Sequence, residues 1–183
     1  HSLNAMLMLS YVALKQGDSV GLISFSNTIH NFTPARPGVK HINRLLHATY
    51  NQRAEYVESR YDEAFFYLRK HCRKRSLVVL VTNVIDEINA HQIRQYMSTL
   101  TGRHLPLGVL LRDHDIFRTV DEVDSHDEPS IYRGAAAVEI LSWRQQVIKD
   151  LQHQGVLMLD VFPEQLTTNL VNQYLEIKAR HLL

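Results

Sequence analysis

The chain has 183 residues, 45% of them hydrophobic and 21% charged, a profile that fits one domain of ordinary size with a full core and excludes a disordered chain. Twenty Lys and Arg against nineteen acids leave a formal charge of +1, which gives no electrostatic case for nucleic acid or an anionic membrane as the partner. Cys72 is the one cysteine, so an internal disulfide is excluded, and no apolar run approaches the ~20 residues of a membrane span.

The predicted elements begin inside a helix. Leu3, Met6, Leu7, Leu9, Tyr11, Val12 and Leu14 recur at helical spacing, and Gly17 stands where a C-cap glycine belongs. The chain opens at His1 with no initiator Met, no signal peptide and no arm before this helix, and an upstream segment is expected. "SVGLISFS", 19–26, has the content of a strand, and "TIHNFTPAR", 28–36, is its expected hairpin partner, ended by Pro34 and Pro37. Helices are predicted over 38–49 and 59–72. "SLVVLVT", 76–82, is an almost unbroken apolar run of the kind covered on both faces in a parallel sheet. A helix over 87–101 and a buried strand, "LPLGVLL", 105–111, come next. The polar stretch 112–130 reads as loop, 132–153 as a long helix stopped by Gly155, 156–162 as the last strand, and 163–180 as a closing helix. Alternating strands and helices predict an α/β open sheet in a single domain over 1–183.

Ligands of such sheets bind beyond the carboxyl ends of the strands. Those ends are Phe25–Asn27, Thr82–Asp86, Arg112–Asp115 and Phe162–Glu164. The sequence contains no dinucleotide fingerprint, no phosphate-binding P-loop, no nucleophile elbow and no zinc-ligand spacing among its 11 histidines. The dense basic run "RKHCRKR", 69–75, suits a helix C-terminus, where cations complement the dipole. Asp113 and Asp115 in "RDHDIF" have the D-x-D spacing of phosphate-transferring hydrolases, although Phe117 stands where those enzymes carry Thr or Val. A small metal-dependent phosphohydrolase using that loop is the alternative functional reading.

Four blocks carry a more specific pattern: "LNAMLMLSYVALKQGDSVGLISFS", "VESRYDEAFFYLRKHCRKRSLVVLVTNVIDE", "GRHLPLGVLLRDHD" and "LVNQYLEIKARHLL". Together they resemble the bacterial domain-of-unknown-function family 58, which is similar to von Willebrand factor A domains. The resemblance implies a Rossmann-like, mostly parallel sheet flanked by helices. The first central strand of that sheet would lie upstream of His1, between "SVGLISFS" and "SLVVLVT" in the sheet. It also implies a metal-ion-dependent adhesion site at the carboxyl edge, where Mg²⁺ or Mn²⁺ takes oxygen ligands and leaves one position for a partner's carboxylate. Mapped here, the site's candidates are Ser59, Thr82, Asn83 and Asp86. Arg60 stands where the family typically has an acid, and Asn83 where it has Asp. Both departures remove negative charge, so the resemblance implies a degenerate site unless the upstream motif completes it. The function implied is a non-enzymatic protein-interaction module, an adaptor or accessory partner of a MoxR-type AAA+ ATPase. Parents in the family often carry membrane-spanning helices before this domain, which would place it in the cytoplasm or at the cytoplasmic face of the inner membrane.

Overall fold

The computed structural model describes residues 1–50, 57–83, 87–122 and 128–183. The chain divides into two compact units: His1–Ser76 with Glu164–Leu183, and Leu77–Pro163.

In the first unit, α1 (Ser2–Lys15) ends as its glycine demands. Gly17 adopts φ +84°, a conformation open to glycine at little cost. β1 (Val20–Phe25) and β2 (Ile29–Arg36) form the expected antiparallel hairpin. β2 runs on through Pro34 instead of ending there. The register shifts between Val20 and Leu22, and this two-stranded sheet has edges to spare for a residue with no N–H. Gly21 sits at that irregularity. A Cβ there would lie 2.8 Å from the backbone nitrogen of Ala35 and 2.9 Å from the carbonyl oxygen of Thr33, so only glycine lets the strands approach.

α2 (His41–Thr49) and α3 (Tyr61–His71) follow, and α3 packs on the hairpin. Tyr61 meets Phe25 edge to face at 5.6 Å, and Tyr67 meets Phe32 at 5.1 Å. Arg69, Lys70 and His71 occupy the last turn of α3, as a basic run at a helix C-terminus should. α7 (Leu166–Ala179) lies against α1 and buries Leu166, Leu170, Tyr174 and Ile177.

The second unit holds a three-stranded parallel sheet flanked by helices, as the alternating pattern predicts. Its order is β3 (Leu77–Thr82), β4 (Leu105–Leu111), β5 (Leu157–Val161). The middle strand is β4, whose five inner residues are all buried. β3 is an edge strand of this sheet, and only its Leu80 is fully buried. The apolar run "LVVLVT" therefore meets hydrogen-bonded strand on one side, that of β4.

α4 (Glu87–Leu100) contributes Ile93, Met97 and Leu100 to the core, and α6 (Glu128–His153) contributes Val147, Ile148 and Leu151. Between them the structure departs from the predicted loop over 112–130, because α5 (His114–Asp121) is a helix. Its N-cap is Asp113, whose Oδ1 accepts a hydrogen bond from the Asp115 backbone N–H at 2.9 Å. Ile116, Phe117 and Val120 then fall on one face, and α5 packs against α6. No described helix is long and apolar enough to cross a membrane.

Candidate functional site

Parallel strands all end on the same side, so the carboxyl edge of β3–β4–β5 gathers residues far apart in sequence. Arg112 follows β4 directly, and its backbone N–H donates to the Val161 carbonyl at 2.9 Å. Its Nε donates to Asp160 Oδ2 on β5 at 3.0 Å. Arg144, from α6, donates through Nη2 to the other oxygen of Asp160 at 2.6 Å. One carboxylate thus holds two guanidinium groups. The ion pair is desolvated, with side-chain exposure of 6% for Arg144 and 13% for Asp160.

The Arg112 guanidinium carbon lies 5.3 Å from the ring centroids of both Phe117 and Phe162. His114 stacks on Phe162 at 4.3 Å with the rings 10° apart, and Phe117 meets Phe162 edge to face at 5.4 Å. The first turn of α5 and the end of β5 are therefore fastened to Arg112 by ring contacts.

Behind this cluster is a cavity of about 10 Å³, room for roughly one water. Ile116, Phe117, Ile140 and Leu141 form its apolar wall, and Asn83, Asp113 and Arg144 its polar part. Arg144 Nε is buried and has no hydrogen-bond partner among the described residues. An uncompensated N–H on a charged group is costly in such surroundings, because arginine does not deprotonate to escape it.

The residues implied by the family resemblance fall as follows. Thr82 ends β3, and Asn83, exposed, follows it into the cavity lining. Asp86 lies outside the described residues. Ser59 and Arg60 belong to the first unit. Arg60 is the N-cap residue of α3, and its guanidinium bonds Asp62 at 2.7 Å and Glu63 at 2.9 Å. That guanidinium, bonded to its carboxylate, holds the Asp62 carboxyl below the usual range. Asp113 and Asp115 are both exposed. Asp113 is engaged in capping α5, and Asp115 lies 4.0 Å from Arg118.

A hard divalent cation needs several oxygen donors with negative charge among them. Among the described residues, no three His, Cys, Asp or Glu side chains gather into a group that could hold a metal ion. At the sheet edge, the neutral amide of Asn83 shares its cavity with the cationic Arg144. The described residues do not by themselves fit a Mg²⁺ or Mn²⁺ site.

The sequence reading named Arg112 among the strand-end residues and missed its cluster with Asp160 and Arg144. A signal was present: Asp160 interrupts the apolar run "VLMLDVF". A carboxylate inside a buried strand demands a cation beside it.

These features define an α/β protein with a Rossmann-like parallel sheet and a charged cluster at its carboxyl edge. The family described as "Protein of unknown function DUF58" matches residues 2–116, more than half of the chain, and the chain belongs to that family. No curated protein and no solved structure matches it at a significant level.

Proposed function

We propose that the chain is a non-enzymatic protein-interaction module of von Willebrand factor A-like design, an adaptor or accessory partner of a MoxR-type AAA+ ATPase acting at the cytoplasmic side. The observation that carries this reading is the carboxyl edge of the parallel sheet. There the chain has an Arg112–Asp160–Arg144 cluster, with Phe117 and Phe162 against Arg112, beside a cavity that Arg144 and Phe117 help to line and that is too small for a metabolite. Such an edge suits contact with a protein surface better than turnover of a small substrate. The resemblance to von Willebrand factor A domains supports the reading further, since the role that it implies is binding.

The test is co-purification of the full-length parent with a MoxR-type ATPase from its own cell at physiological salt. Retention that is lost on Arg112→Glu, with the fold intact by circular dichroism, supports the proposal. Failure of any such ATPase to be retained removes the adaptor role. Turnover of a phosphoester with Mg²⁺ or Mn²⁺ that disappears in Asp113→Asn would replace it with an enzymatic one.

A further inference from the structure

We propose that the basic end of α3 and the segment after it, from Phe66 to Arg75, form a surface that lies against an anionic lipid membrane. The surface belongs to the first unit, shares no residue with the carboxyl edge and does not rest on the ATPase reading.

The whole-chain charge of +1 conceals how the charge is distributed. No acid occurs over residues 64–85, while Arg69, Lys70, Arg73, Lys74 and Arg75 fall within seven positions. Taking these five from the twenty Lys and Arg leaves fifteen against nineteen acids in the rest of the chain, a charge of −4. The helix dipole accounts for part of the run. Arg69 and Lys70 are in the last turn of α3, which ends at His71, but Arg73, Lys74 and Arg75 lie past that end, where the dipole's pull fades.

Elsewhere the chain balances its cations. Arg60 is paired with Asp62 and Glu63, Arg94 with Asp150, Lys178 with Asp18 and Arg180 with Glu176. Arg69, Lys70, Lys74 and Arg75 are exposed, and among the described residues no acid is paired with them. Arg75 Nη2 donates to the Leu182 carbonyl at 3.2 Å, a neutral acceptor that leaves its charge in place.

Phe66 adds an apolar group to the patch. It is 71% exposed, while the other five Phe are buried or half-buried. Arg69 and Lys70 follow it by three and four positions, so all three share one face of α3. The helix beneath them is fixed: Phe65 is buried, and Tyr67 packs on Phe32 and stacks on His71 at 4.0 Å.

This arrangement selects charge density and not shape. Exposed Lys and Arg side chains at a helix end form no enclosure to orient one small ligand. A lipid surface needs none, because it offers many phosphates side by side, and each nearby Lys or Arg strengthens partitioning about fivefold. The interface under the phosphates takes an aromatic ring, and the stems of Arg69 and Lys70 can lie along it while their charged heads stay in water. A docked peptide would call for walls around the ring, and a single ring gives a nucleic acid only one stacking platform.

The experiment sediments the purified chain with vesicles of an equal mixture of phosphatidylglycerol and phosphatidylcholine, and with vesicles of phosphatidylcholine alone, over a series of salt concentrations. The expected result is binding to the mixed vesicles that weakens as salt rises, and none to the neutral ones. Lys70→Gln with Lys74→Gln should weaken binding about twentyfold and flatten its salt dependence. Phe66→Ala should weaken it about fivefold and leave the salt dependence as it was. All three side chains are exposed, so the melting temperature of both variants should match that of the natural chain. Equal binding to neutral vesicles, no binding to either, or binding indifferent to both lysines overturns the proposal. Vesicles left alone, with a poly-glutamate peptide or single-stranded DNA held through the same lysines, overturn it in favour of that partner. An unchanged affinity in Phe66→Ala overturns the insertion of the ring.

Discussion

Each unit of the chain has a carboxylate held between two partners, part-exposed in one and nearly buried in the other, and the two are resolved differently. In the first unit, Asp18 accepts from the Tyr174 hydroxyl at 2.7 Å and from Lys178 Nζ at 2.7 Å. One negative charge meets one positive charge and one neutral donor, and each oxygen has a partner. Burial first, then the hydrogen bond and charge of Asp18, push the Tyr174 hydroxyl well above its usual range, so it stays a donor. In the second unit, Asp160 meets two positive charges, and the buried donor Arg144 Nε has no acceptor among the described residues. The closed arrangement ties α7 to the turn after α1 and has no reason to bind anything. The open one stands at the sheet edge where ligands of such folds bind.

The comparison is broken most severely at Asp160. Asp160→Asn removes the counter-charge of two guanidinium groups at once, one of them almost wholly buried. The expected loss is about 3–5 kcal/mol, the usual result of leaving a buried charge unpaired. Urea unfolding checks it, and a loss below about 1 kcal/mol would mean that water reaches the cluster freely.

Asp18→Asn should cost much less. Its side chain is 33% exposed and that of Lys178 is 35% exposed, so the lysine can turn to solvent when its partner goes. About 1 kcal/mol is expected after allowing for screening. Tyr174→Phe should cost about the same or slightly less, because it removes one neutral donor and leaves the Asp18–Lys178 pair in place. If Asp18→Asn proved as damaging as Asp160→Asn, the contrast between a closed tie and a surplus-charge cluster would fail.

The two sites also differ in how legible they are from sequence. The hairpin, the parallel strands and most of the helices follow from apolar runs, spacing and glycine positions, all of them local signals. Gly17 and the basic end of α3 appear where such signals put them. Two things went unread for physical reasons. α5 has only eight residues, and the polar "RDHD" at its start hides an N-cap behind what looks like loop. The rank of the strands is also set by pairing and not by hydrophobicity: β3 is as apolar as β4, yet β4 is the middle strand. The charged cluster was the least legible part. Its arginines stand 48 and 16 residues from Asp160, and only the parallel topology brings β4, β5 and α6 to one edge.

Arg144 Nε has a counterpart in the same unit that sharpens the contrast further. His104 lies just before β4, at the opposite end of that strand from Arg112, and its Nδ1 is also buried without a partner among the described residues. Imidazole, unlike guanidinium, can give up its charge. Burial, and then the charge of Arg103, hold the His104 pKa below its ordinary value of 6.5. The folded state thus binds this proton less readily than the unfolded chain does. Stability from His104 is complete above the unfolded pKa. It is lost as pH falls below about 6.5, and the loss levels off once pH is below the folded pKa. Melting temperatures of the natural chain and of His104→Leu between pH 7.5 and 5.5 read this out, as the smallest effect of the set. The natural chain should lose more stability across that window than the variant. Parallel curves would mean that the ring is hydrated in solution.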